Sequence, residues 1–408
     1  MANFYPALAH TDNIGFFDSD GRRRTMSIRG LMPESISHRF LTSLSFDEEI
    51  HYAIAPDDGD PESGQKVMVT EPTSIFVDCG AFHYKDERVP RFKMGGFANA
   101  ITSFEQYSRR HLSRGLECEY LLCSPDHIIP PGCDDETALA RREFTLANAS
   151  VFIDLAKTDD RVTPVGVVHG RTMEERSEMT GILLDMGYDY IAFGGLVPLS
   201  RDQGKVLSQL AGPSDPNSPR SSIIRGSPLG LAKSAGAKTH LFGLNSPDWY
   251  RWIKRLGVDS FDGSKLSTEG AVNGIIWVKG DKKSGELTDA KGIYRRMMVK
   301  KIGKREAIRG DGTTTFQFSE DGILHSSNPG LDYLMTSRCT SPKCPHGPEV
   351  HCCDPRVTGS TEHNMGRAIH NSWIFEWMMS EIDGICEEAK SSEDGNLREN
   401  WSPIEVEA

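Results

Sequence analysis

No stretch of this chain approaches the ~20 uninterrupted apolar residues that a membrane-crossing helix needs. Its opening residues, MANFYPALAHTDN, carry neither a basic start nor an apolar core. No secretion signal is read there, so a cytoplasmic address and no membrane partner are expected. No G-x-G-x-x-G follows an apolar run, which argues against a Rossmann sheet and a nicotinamide cofactor. Internal repeats are absent as well. The nine cysteines are odd in number and unevenly spread, which excludes a regular disulfide framework.

What is present is ordinary in bulk and uneven in detail. With 408 residues the chain can bury a full core, enough for a barrel of about 250 residues with insertions. The net charge of −12 argues at first against a polyanionic partner. That charge is segregated, however. Residues 279–309 hold eleven Lys/Arg against four Asp/Glu, including Arg295, Arg296, Lys300 and Lys301. Polyanion binding depends on such a local patch rather than on the total, although a solvated basic face would look the same. Residues 381–408 hold nine acids against two bases, and nothing past about residue 385 reads as able to join a core.

The middle of the chain alternates apolar runs with capped helical stretches. The runs are SIFVDCG (74–80), EYLLCSPD (119–126), TPVGVVHG (163–170), DYIAFGGL (189–196), THLFGL (239–244) and VDSFDG (258–263). Continuous apolar runs suit parallel strands buried on both faces. Between them, Thr172 and Glu175 spell a capping box before an apolar stripe that ends at Gly187. Ser246–Pro247 opens another helix, bearing Trp249, Trp252, Ile253 and Leu256 and stopping at Gly257. Phe144, Ala147, Val151 and Leu155 mark a third at helical spacing. Six or more strand–helix units predict a (β/α)₈ TIM barrel with insertions. Residues 211–228, rich in Pro, Ser and Gly, read as a loop.

Chemistry in such a barrel sits at the C-terminal strand ends. Those ends carry Asp78, Asp126, His169, Gly194–Gly195 and Asp262. A single aspartate there could be no more than a helix cap. Two carboxylates facing one pocket can divide the breaking of a glycosidic bond, one as nucleophile and one as acid/base.

These runs resemble the tRNA-guanine transglycosylase superfamily in order along the chain, from about Phe76 to Asn371. FVDCGAF resembles that family's D-S-G-G-F segment, GVVHG its V-Q-G, YIAFGGL its A-I-G-G-L, HLFGL its Y-L-M-G-V, and SFDGS its M-F-D-C. The resemblance implies that Asp262 is the nucleophile attacking the sugar C1′ and that Asp78 is the acid/base. It implies that Asp126 accepts the amino and imino edge of the base, with Gly194, Gly195 and Leu196 completing the pocket by backbone groups. Phe82 and Phe242 match positions that line it. His169 stands where the family has a glutamine contacting the base. Cys79 is a weaker rival nucleophile, being an unactivated thiol. The implied reaction needs no ATP and no nicotinamide.

The family also has a structural zinc site, C-x-C-x-x-C followed by an H-N pair. Here Cys339 and Cys344 match the outer cysteines, and His370 lies 26 residues beyond Cys344 and precedes Asn371. Ser341 replaces the middle cysteine, so Cys353 or Cys352 is expected to complete a closed Cys₃His site, with His346, His351 and His363 nearby. Where the tRNA enzymes carry an arginine-bearing run after the nucleophile strand, this chain has SKLSTEGAVNG (264–274). It keeps the final N-G, loses both arginines and gains Glu269. This altered run, the Pro/Ser-rich loop and the incomplete cysteine motif resemble the DNA-guanine transglycosylases, which implies insertion of 7-cyano-7-deazaguanine into DNA. A tRNA enzyme and a non-catalytic binding subunit remain alternatives. Other DNA-modification proteins or a second copy of the chain remain open as partners. The expected layout is a lead-in over 1–70, a barrel over 71–330, a zinc subdomain over 331–385 and a flexible acidic tail over 386–408.

Overall fold

The computed structural model describes residues 2–8, 13–17, 23–44, 71–87, 99–212, 222–272, 275–279, 294–302, 305–310, 314–318, 324–326 and 361–407. The first strand, β1 (Asn3–Pro6), leads into an antiparallel hairpin, β2 (Asn13–Phe17) and β3 (Arg23–Ser27). The parallel strands then follow: β4 (Arg39–Ser43), β5 (Ser74–Asp78), β6 (Glu119–Cys123), β7 (Val162–Val168), β8 (Tyr190–Phe193), β9 (Lys238–Leu241) and β10 (Ser260–Gly263). Their order is β4-β5-β6-β7-β8-β9-β10-β1. Ala7 bridges Leu41 in parallel and the Leu8 amide donates to the Leu41 carbonyl at 3.0 Å, which brings the two edges together. The sheet curls into the expected (β/α)₈ barrel.

Two apolar layers hold it. Inside, Tyr5, Leu41, Phe76, Leu121, Val165, Val167 and Ala192 fill the barrel interior. Outside, the alternate residues of the same strands meet the helices α1 (Ala100–Arg110), α2 (Asp135–Ala156), α3 (Met173–Asp185), α4 (Gln203–Ala211), α5 (Pro228–Ser234), α6 (Pro247–Arg255) and α7 (Thr361–Ser391). Burial on both faces is why the strands read as unbroken apolar runs. The capping box at α3 forms with a shift: Thr172 accepts the Glu175 amide at 3.3 Å, while Glu175 takes the amide of Arg171 at 2.7 Å.

On α2 only half of the expected apolar stripe turns inward, Phe144 and Leu155 packing against the core. Ala147 and Val151 face solvent, while Thr145, Asn148, Ala149, Phe152, Ile153 and Ala156 are buried. Two polar residues sit inside because each serves an exposed end of backbone. Asn148 accepts the Ala100 amide at the start of α1 at 2.9 Å, and Thr145 accepts the His127 amide at 3.0 Å. A hydrophobicity count cannot see this service.

The domain boundaries also move. Residues 1–70 supply two of the barrel strands, β1 and β4, rather than a lead-in. A five-stranded antiparallel sheet follows β10: β11 (Ile275–Lys279), β12 (Tyr294–Ile302), β13 (Arg305–Gly310), β14 (Thr314–Phe318) and β15 (Leu324–Ser326). The chain then returns to the barrel as α7, where Phe375 packs on Phe4 of β1 and on Phe261 of β10. The barrel therefore runs past the expected 330 and 385 boundaries.

Nor is the C-terminal segment loose. A short helix, α8 (Gly395–Trp401), buries Trp401. Arg255 donates to the carbonyls of Glu399 (2.8 Å) and Ser402 (3.1 Å), and Ile223 pairs in parallel with Val406. The acids face solvent while one tryptophan and the backbone dock. Trp401→Ala should therefore cost about 3–5 kcal/mol of stability in chemical denaturation. A flexible tail would leave the midpoint unmoved.

Candidate active site

The C-terminal ends of the barrel strands bring Asp78, Asp126, His169, Gly194, Gly195, Phe242 and Asp262 to one mouth. Asp78 is the last residue of β5. The chain turns there through Gly80, which has φ +82° and whose amide donates back to the Asp78 carboxylate at 2.7 Å. A left-handed residue is needed at this turn, which glycine adopts without strain. Asp126 follows β6 and is buried. Both of its oxygens are engaged: the Cys79 thiol donates to Oδ1 at 2.9 Å, and His169 Nε2 meets Oδ2 at 2.6 Å. The Tyr84 hydroxyl donates to the Asp126 carbonyl at 2.8 Å and touches Cys79 Sγ at 3.0 Å. Asp126 is thus oriented from two sides before any ligand arrives.

His169 lies flat against the glycine pair. A β-carbon on Gly194 would fall 2.4 Å from His169 Cε1, so only glycine fits beside this ring. Buried Arg176 donates to the Gly194 carbonyl at 2.9 Å and pins the turn. Asp262 sits within β10. Its Oδ1 accepts the Gly243 amide at 2.8 Å and faces His240 Nε2 at 3.3 Å. Phe242 is half-buried, its ring 5.7 Å from Phe76 and 4.7 Å from His240. Phe82 stands apart: it is 66% exposed on the turn after Asp78, and Lys85 lies over its ring at 4.1 Å. Leu196 is buried in the outer core.

The rival nucleophile loses ground on geometry. Cys79 is fully buried, and burial together with the Asp126 carboxylate pushes its thiol well above the usual range. It serves as a hydrogen-bond donor, not a thiolate. Asp259 lies at the opposite end of β10 and accepts from the Thr239 amide and hydroxyl at 2.8 and 3.0 Å.

Asp78 is pushed up to about 7, chiefly by burial. The neighbouring Asp126 and Asp262 raise it further, and donors from Ser43 and Gly80 only partly offset this. A carboxyl near 7 can hold a proton or release one at neutral pH, as acid/base work requires. Sequence reading missed His240, Ser260, Tyr84 and Arg176. A signal for two of them existed, since His240 and Ser260 lie two residues before Phe242 and Asp262 and so share their inward face.

The expected zinc ligands Cys339, Cys344, Cys352 and Cys353, with His346 and His351, lie outside the described residues. Among the described residues no group of three or more His, Cys, Asp or Glu could hold a metal. His370 can be tested. Its Nε2 donates to the Trp277 carbonyl at 2.8 Å, while its buried Nδ1 has no partner among the described residues. A ring fixed by a carbonyl on one nitrogen and bare on the other is how proteins present a metal-binding histidine. The residue present fits the group.

The raised Asp78 has a consequence for stability. Below about pH 4 the carboxyl is protonated whether the chain is folded or not. Between about pH 4 and 7 the unfolded chain releases the proton and the folded one keeps it, so folding weakens as pH rises. Three units correspond to at most about 4 kcal/mol, less because the carboxyl is partly open to the mouth. Asp78→Asn should therefore match wild type at pH 4 and exceed its stability at pH 8. Equal stability at both pH values would show that Asp78 titrates normally.

No model of a protein family matches the chain. Among curated proteins it is similar to a DNA-guanine transglycosylase of Salmonella montevideo, 28% identical over 187 residues. The match takes in 45% of this chain and 39% of that protein, so it spans about two fifths of the relative's length. With the barrel and its three carboxylates, this similarity supports the transglycosylase family.

Proposed function

We propose that the chain exchanges guanine in DNA for a 7-deazaguanine, 7-cyano-7-deazaguanine being the expected base. The observation that carries the reading is the division of labour between two carboxyls at one barrel mouth. Asp78 holds a proton near neutrality, while Asp262 is tied through Oδ1 to an amide and an imidazole.

In the proposed sequence, the Asp262 carboxylate attacks C1′ of the nucleotide. The C1′–N9 bond breaks, its electron pair leaves with guanine, and the Asp78 proton goes to the departing purine. A glycosyl–aspartate ester remains. Asp78, now a carboxylate, takes the proton from the incoming base, whose nitrogen attacks C1′ and releases Asp262. Two displacements retain configuration, and the ester conserves the bond without ATP. Asp126 would accept the N1–H and 2-amino groups of the base, His169 would lie along the same edge, and Phe242 would stack. The base must leave its stack to reach the mouth. Zinc, held by Cys339, Cys344, one of Cys352 and Cys353, and His370, would supply structure only: it would tie the segment before α7 to the barrel.

DNA is preferred over tRNA because of what the segment after β10 does. Glu269, which stands where the tRNA enzymes carry an arginine-bearing run, is buried, and the Trp277 indole N–H donates to it. Gly270 packs against the backbone of Ala368, leaving no room for a side chain. Glu269 and Gly270 thus serve to anchor β11, in a run that lacks the arginines of the tRNA enzymes. Arg295, Arg296, Lys300 and Lys301 lie on β12, the neighbour of β11, and would supply the phosphate contacts.

The protein should be incubated separately with duplex DNA and with tRNA, each with a labelled 7-deazaguanine, and the nucleosides analysed by mass spectrometry. Label in DNA is expected. Label in tRNA alone would favour the second reading, and label in neither would overturn both. Asp262→Asn should lower exchange by about 10⁴-fold or more with the fold intact. Neutralising the four β12 cations should weaken DNA binding at every sequence and flatten its salt slope by about one unit per lost contact. An unchanged slope would remove that footprint. Protein prepared without chelators should hold about one zinc per chain, and elemental analysis finding none would withdraw the metal.

A further inference from the structure

Beneath Asp262 a single file of hydrogen bonds runs down the inside of the barrel. Asp262 Oδ1 faces His240 Nε2 at 3.3 Å, His240 Nδ1 meets Ser260 Oγ at 2.7 Å, and Ser260 Oγ meets the Tyr190 hydroxyl at 2.6 Å. All three residues below the carboxylate are buried, and His240 is fully so. Tyr5, Phe76 and Phe242 wall its ring from β1, β5 and the turn after β9. A buried polar file is costly unless every link has a partner, and here each one does.

With a neutral imidazole the file can be satisfied in two ways. In one, Tyr190 donates to Ser260, Ser260 to His240 Nδ1, and His240 Nε2–H to Asp262 Oδ1, which then needs no proton of its own. In the other every proton is shifted, His240 carries its proton on Nδ1, and Asp262 must itself hold a proton to donate to Nε2. Burial keeps the Tyr190 hydroxyl protonated far above neutrality, and burial also lowers His240, so that the ring stays neutral despite Asp262. The Gly243 amide reinforces the first arrangement because it can only donate to Oδ1. No described hydrogen bond engages Oδ2.

We infer that Tyr190, Ser260 and His240 are positioning residues that hold Asp262 as an oriented anion, with Oδ1 tied and Oδ2 free to attack the sugar. The inference rests on Asp262 being the nucleophile. A neutral imidazole suits this task better than a cation, since an imidazolium would hold the carboxylate's charge in an ion pair and blunt its attack. Fixing a histidine tautomer through the partner on its other nitrogen is a general means of orienting a reactive group.

The test has two arms. In ¹⁵N-histidine-labelled protein without substrate, NMR should find His240 as the neutral Nε2–H tautomer at pH 7. Ser260→Ala should turn it into a mixture. In exchange assays Ser260→Ala and Tyr190→Phe should lower kcat, the former by about ten- to a hundred-fold, as losses of such supporting partners do. The KM for the free base should stay unchanged, since Asp126 is untouched. His240→Gln, which restores an N–H near the Nε2 position, should retain more activity than His240→Leu. An Nδ1–H tautomer or an imidazolium in the wild type at pH 7 would overturn the inference. So would an unmoved kcat in Ser260→Ala. If the Nε2–H tautomer is found but no nucleic acid is a substrate, the transglycosylase reading fails while the donor file stands.

Discussion

Three carboxylates at one partly dry barrel mouth cannot share the same surroundings, and much of the local structure is the consequence. Like charges brought together out of water push at least one of the group toward its protonated form. Burial is the largest influence on Asp78, and donors only partly offset it. Asp126 has a thiol and an imidazole, and Asp262 has an amide and an imidazole. Asp78 has one hydroxyl and one amide, too little to offset its burial and its two neighbours. The proton settles on Asp78. Three chemically identical side chains are thereby told apart by their surroundings.

Those surroundings require side chains to approach from adjacent strands, which the parallel pairing of the barrel permits. Cys79 follows β5 and reaches across to Asp126 after β6, while His169 reaches the same carboxylate from β7. His240 on β9 serves Asp262 on β10. Each partnership joins neighbouring strands, so the parallel register that closes the barrel also sets the donor sets. Gly194 shows how tight the arrangement is. The His169 ring occupies the space a side chain would need, so the glycine pair after β8 is demanded by the imidazole as much as by any ligand.

The barrel was legible because its strands are buried on both faces and therefore read as unbroken apolar runs ending in Gly or Asp. The positions of Asp78, Asp126, His169 and Asp262 followed from those ends. What escaped notice was governed by partnership rather than by hydrophobicity. Thr145 and Asn148 are buried because they satisfy distant amides, and a stripe drawn through Val151 misplaces the face of α2. Strands β1 and β4 are short and lie on either side of a hairpin, so they lacked the strand–helix rhythm that marked the others. The C-terminal segment was misjudged because nine acids dominate its composition, whereas its docking depends on Trp401 and on backbone carbonyls held by Arg255. Composition averages over a segment, but attachment can rest on one side chain.

The segment after β10 shows the same principle at the scale of architecture. Glu269 comes from the run read as having lost the arginines of the tRNA enzymes and His370–Asn371 from the expected metal motif, yet all three converge on one residue. Glu269 accepts the Trp277 indole N–H, Asn371 accepts the Trp277 amide, and His370 donates to the Trp277 carbonyl. A fully buried tryptophan on β11 is thus held through side chain and backbone together. Asp262 lies only a few residues before Glu269, and β11 leads into the antiparallel sheet. Trp277 is accordingly the point where the segment after β10, the inserted sheet and the last barrel helix are fastened to one another. An H-N pair that satisfies both backbone groups of a strand residue has a structural reason to exist before any metal binds. The bare Nδ1 of His370 is what that fastening leaves available for a metal.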